Sequence, residues 1–118
     1  MAVWGWAYQY YVNTGARMTF SFPVEAMFPD DFEAIKPYLA RRMAADIKSQ
    51  KPVLFVEALG QNQFPGADPA KCGFDRYPVI ASLIAQNYSA VENIHGVTIY
   101  IRNDRLNGEG DRHGAPAL

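Results

Sequence analysis

Hydrophobic and polar positions alternate with a period of two over residues 3–12. Trp4, Trp6, Tyr8, Tyr10 and Val12 fall on one side, and Val3, Gly5, Ala7, Gln9 and Tyr11 on the other. Successive side chains of a strand point to opposite faces, so this pattern predicts a strand with one large aromatic face. Rings of that size must cover something or be covered. Asn13-Thr14-Gly15-Ala16 reads as a turn. Met18, Phe20, Phe22 and Val24 then alternate with Thr19 and Ser21 in a second strand over 17–25, and the pair predicts a β-hairpin.

The period changes after Pro29-Asp30-Asp31. Phe32, Ile35, Leu39, Met43 and Ile47 recur at spacings of three and four, among the good helix formers Ala40, Ala44 and Ala45. This predicts an amphipathic helix over roughly 31–49, with the aspartates at its amino end. Pro37 breaks the pattern, because its ring clashes with a helical carbonyl four residues earlier. The helix therefore kinks at Pro37 or begins near residue 34.

Lys51-Pro52 ends that segment, and residues 53–59 (Val-Leu-Phe-Val-Glu-Ala-Leu) are apolar on both sides, as in a central strand. A long stretch from Gly60 to Tyr77 is punctuated by Pro65, Gly66, Pro69 and Gly73. Loops of this length in small domains are commonly functional or disordered, and Phe64, Phe74 and Tyr77 argue for order. Pro78 suits the first position of a second helix, with Ile80, Leu83, Ile84, Tyr88 and Val91 as its apolar stripe. His95-Gly96 turns the chain into a last strand over 97–102, with Val97, Ile99 and Ile101 toward the core.

The predicted element order is ββαβαβ. It implies an α+β domain of about four mostly antiparallel strands with two helices on one face. Residues 1–104 form that domain, and the glycine-rich, mixed-charge residues 105–118 read as a flexible tail. Two helices cover one face of such a sheet, so the second face must meet a partner subunit or line a ligand cavity.

Composition narrows the function classes. The chain has 118 residues, 49% of them hydrophobic, and a formal net charge of −1. That balance excludes a disordered chain and lacks the basic excess of a nucleic-acid or anionic-membrane binder. A lone Cys72, residues 1–17 without the basic start of an export signal, and no apolar run of membrane-spanning length predict a cytoplasmic protein. No metal-ligand spacing, phosphate loop, dinucleotide fingerprint or nucleophile elbow occurs, so neither metal nor cofactor is expected.

Glu57 is the first candidate for chemistry. A carboxylate inside an apolar strand is costly unless paired, and burial raises its pKa toward the range of a general acid or base. At a strand end it would simply meet water or an arginine. Residues 72–77 (Cys-Gly-Phe-Asp-Arg-Tyr) lead into a helix amino end, where Arg76 would grip an anion or Asp75 would serve as an ordinary cap. His95 fits a turn better than a ligand role, and His113 falls in the tail.

The function expected from these residues is binding of a small organic molecule by a soluble oligomer, a dimer being favoured. Its pocket would combine the aromatic sheet face with the 60–77 loop, using Trp4, Trp6, Tyr8, Tyr10, Glu57, Phe74, Arg76 and Tyr77. One alternative is an enzyme with Glu57 as acid or base, assisted by Tyr77, Asp75 or His95. Another is an interaction module that docks a second protein on the aromatic face.

Overall fold

The computed structural model describes residues 1–5, 9–21, 33–59 and 73–106. Their regular elements are β1 (Ala2–Trp4), α1 (Gln9–Thr14), α2 (Lys36–Gln50), β2 (Leu54–Glu57), a 3-10 turn (Phe74–Arg76), α3 (Pro78–Asn87), β3 (Tyr88–Ile94) and β4 (Val97–Arg102). The four strands form one sheet in the order β1-β2-β4-β3. Two of its pairings are antiparallel, and β1 runs parallel to β2. The α+β class and the mainly antiparallel sheet match the sequence reading, whereas the element order departs from ββαβαβ.

The first departure is at the amino end. The alternation over 3–12 supports only three strand residues, after which Gly5 takes φ 137°. A β-carbon at Gly5 would lie 3.0 Å from the Ala58 carbonyl carbon, so the close approach to β2 itself requires glycine. The chain then enters α1, where a strand was expected. The 3–12/17–25 hairpin does not form, since residues 15–20 have no regular structure. In its place β1 pairs with β2, with Val3 opposite Val56. Parallel neighbours need a long crossover, and the segment carrying α2 supplies it. Residues 22–25 of the expected second strand lie outside the described ones.

The second departure is at residues 88–94, which extend as β3 where the apolar stripe of a helix was expected. His95 and Gly96 both take positive φ, 52° and 85°. Two such residues make the tight turn whose twist suits a hairpin, and β3 folds back on β4 with Ile94 opposite Val97. The His95-Gly96 pair between two alternating segments was the available signal.

The α2 helix resolves the Pro37 conflict by starting at Lys36, with Pro37 in its first turn, where no carbonyl partner is lost. Ile35 precedes it without a side-chain cap, so no aspartate caps this end. Ile35 is correspondingly exposed, while Ala40, Met43, Ala44 and Ile47 are buried.

Side-chain alternation divides the core in two. Ala2, Trp4 and Phe55 face α2 and α3, packing with Met43, Ile47, Ile80 and Ile84. Val3 and Val56 point the other way, where Tyr11 of α1, Ala58 and Val97 form a smaller cluster. Val97 and Ile99 also line an apolar groove of about 340 Å³ beside Tyr10 on that second side. The β4 residue on the helix side is Tyr100, paired with Phe55 and packed on the main core. Val97, Ile99 and Ile101 therefore face away from the helices, because the β2–β4 register sets Phe55 opposite Tyr100. No helix among the described residues is long and apolar enough to cross a membrane.

Candidate functional site

The carboxyl ends of β1 and β2 lie side by side, with Trp4 in register with Glu57. The 3-10 turn closes over this end. It sets Phe74 against Phe55 with ring centroids 5.0 Å apart, against Tyr100 at 5.8 Å and near Trp4 at 6.5 Å. All three contacts are edge-on, the arrangement that ring quadrupoles favour. Tyr77 adds a tilted contact with Trp4 at 6.0 Å. Trp4 is fully buried and forms the floor, while Phe74, Tyr77 and Tyr100 are half-buried and keep edges toward the surface.

Glu57 is half-buried beside these rings. Burial pushes its carboxyl pKa above the ordinary value, the Leu59 backbone N–H pulls it back, and the charge of Asp75 raises it further. The Tyr100 phenol is also pushed up, first by burial and then by the negative charges of Glu57 and Asp75. Glu57, Asp75 and Tyr100 thus lie near enough to feel one another's charge, two carboxyls and a neutral phenol beside aromatic edges. The carboxyls accept hydrogen bonds when ionised, and Glu57 donates one when protonated.

Of the residues singled out in the sequence, Trp4, Glu57, Phe74 and Tyr77 come together here, and Arg76 stands exposed in the same turn. Tyr10 does not join them. It lies on α1 and packs on the second side of the sheet. The expected single face of Trp4, Trp6, Tyr8 and Tyr10 is thus divided, because the strand ends at Gly5; Trp6 and Tyr8 lie outside the described residues. So do residues 60–72 of the loop, with Cys72, and His113. Among the described residues the cluster of Trp4, Phe55, Phe74, Tyr77 and Tyr100 lies with the core between sheet and helices.

Asp75 does not cap α3. Tyr77 occupies the cap position without a side-chain bond, and Pro78 fills the first turn as expected. His95 sits in the β3–β4 turn, at the same end of the sheet as Glu57, whose partner Thr98 lies three residues further along β4. Sequence reasoning missed Tyr100, whose signal was its alternation with Ile99 and Ile101. Among the described residues no group of three His, Cys, Asp or Glu could hold a metal ion. No protein-family model, curated protein or solved structure matches the chain.

Proposed function

We propose that the protein binds a small organic molecule at the carboxyl end of the β1–β2 pair. The observation that carries this reading is a half-buried carboxylate, Glu57, bordered by aromatic side chains from three other segments: Trp4, Phe74 with Tyr77, and Tyr100. Sites for small ligands combine apolar walls with a few converging polar groups, and open sheets gather ligands beyond the carboxyl ends of parallel strands. The ligand lays a flat apolar body on the edges of Phe74, Tyr77 and Tyr100 and directs a hydrogen-bonding group to Glu57. Arg76 adds positive charge at the rim.

Assembly as a dimer, in the cytoplasm, belongs to the same reading. Its support is the second sheet face, where α1 covers Val3 and Val56 but leaves Ile94 and the groove beside Ile99 open.

Native mass spectrometry of gently purified protein tests both parts. The expected result is a multimer with an added small-molecule mass, which the Glu57→Gln/Phe74→Ala variant loses while keeping its assembly. A bare monomer would overturn the reading. The raised Glu57 pKa, with Asp75 and Tyr100 adjacent, favours a second reading in which Glu57 transfers a proton to or from the bound molecule. Under that reading Glu57→Gln abolishes turnover of the retained molecule and leaves its binding intact.

A further inference from the structure

The opposite end of the sheet carries a groove of about 610 Å³ where α2 and α3 end and β4 finishes. Its apolar surface is Ile47, Leu83 and Tyr88, and its charges are Lys48, Lys51, Arg102 and Asp104. One acid against three bases leaves a local charge of +2 (three minus one).

Helix carboxyl ends ordinarily repel anions, since their last carbonyls carry partial negative charge. Here several carbonyls at these helix ends and in the chain beyond them accept hydrogen bonds. The Lys51 N–H donates to the Ile47 carbonyl at 2.9 Å. Asn87 Nδ2 donates to Leu83 at 3.0 Å, and Asn103 Nδ2 to Gln86 at 3.4 Å. The Tyr88 hydroxyl donates to the Pro52 carbonyl at 2.5 Å.

Arg102 is held the same way. Its side chain is 18% exposed, and its Nε donates to Asp104 at 2.6 Å. Its Nη1 donates to the Lys51 carbonyl. With Nε engaged, the side-on fork of Nε and Nη2 is closed to a bidentate carboxylate, and Nη2 is left to donate. Lys48 and Lys51 are exposed amines on the same rim. Lys51 holds φ 48°, the left-handed region that favours glycine, as it turns α2 toward β2. A lysine at that position costs conformational strain.

We propose that this groove binds a phosphate monoester of an aromatic or apolar alcohol. Three single donors, Arg102 Nη2, Lys48 Nζ and Lys51 Nζ, match the three terminal oxygens of a phosphate, and the local charge of +2 matches its dianion. The organic group lies over Ile47, Leu83 and the Tyr88 ring. This site is separate from the Glu57 site, and neither depends on the other.

The test titrates the ¹⁵N-labelled full chain with phenyl phosphate, following amide shifts. Saturable shifts are expected at residues 47–51, 83–88 and 102–104. Lys48→Met with Lys51→Met, which keeps the aliphatic stems, weakens binding at least ~10-fold, whereas Lys48→Arg with Lys51→Arg retains it. Benzoate and phenol titrated into the unaltered chain give a measurement independent of variant folding, and both bind more weakly than phenyl phosphate. Absence of saturation up to ~10 mM phenyl phosphate, equal binding of benzoate, or indifference to the methionine pair overturns the proposal.

Discussion

Removing one oxygen from Tyr11 tests how the edge of the sheet is held. β1 pairs with β2 on one side, and its other side is satisfied by groups outside the sheet. Thr19 N–H donates to the Met1 carbonyl at 3.2 Å. Val3 N–H donates to the Tyr11 hydroxyl at 3.0 Å. Val3 is 2% exposed and Tyr11 9%, so water does not replace the hydroxyl readily. Burial raises the phenol pKa, with the Val3 hydrogen bond opposing it. The hydroxyl is therefore neutral at ordinary pH. Tyr11→Phe preserves the ring beside Val56, Ala58 and Val97 and leaves the Val3 N–H orphaned. An unsatisfied buried donor costs about 1–3 kcal/mol. At roughly 4–8 °C per kcal/mol for a domain near this size, the melting midpoint falls by about 5–20 °C. Urea unfolding followed by tryptophan fluorescence measures the loss, and amide hydrogen exchange localises it to Val3. A change below ~0.5 kcal/mol, with Val3 exchange unaltered, would refute the edge-capping argument.

Three further substitutions probe other strains. Glu57→Gln should stabilise the protein at neutral pH and have little effect under strongly acidic conditions. Because the folded pKa is raised, the native state holds the proton longer, and stability of the parent falls as pH rises from the unfolded to the folded pKa. Unfolding across that pH range checks the sign, and a stabilisation that is larger in acid contradicts it. Lys51→Gly should stabilise by about 1 kcal/mol in urea unfolding by relieving φ 48°, and should also weaken phenyl phosphate binding. A gain in stability with unchanged binding would separate Lys51 from the groove. Gly5→Ala should cost at least ~2 kcal/mol by the same measurement, since φ 137° and the 3.0 Å approach to Ala58 both exclude a β-carbon.

The residues by themselves determined the elements whose signals are local. Of the stripe read for the helix, Leu39, Met43 and Ile47, with the alanines between them, fall in α2, while Ile35 precedes it and is exposed. Pro37 and Pro78 mark the first turns of α2 and α3, because proline fits a helix where no N–H is needed. The doubly apolar strand around Phe55 and Val56 is central for the same reason: neither of its faces belongs in water. Glu57 and the Phe74–Tyr77 segment were also recognisable, as a carboxylate and rings in places where plain apolar or polar residues would serve.

Tertiary structure decided the rest. Alternation over 3–12 fits a strand of ten residues, yet the approach of Gly5 to Ala58 ends it after three and sends Tyr10 and Tyr11 to the second face. Tyr88 and Val91 fit a helical stripe as well as a strand until the hairpin pairing with β4 selects the strand. Tyr100 comes beside Phe55 and the Glu57 strand end only through the β2–β4 register. Periodicity records which residues avoid water, but it does not record which neighbour shields them. Where two pairings bury the same side chains, close backbone approach and strand register choose between them, and both are properties of distant segments brought together.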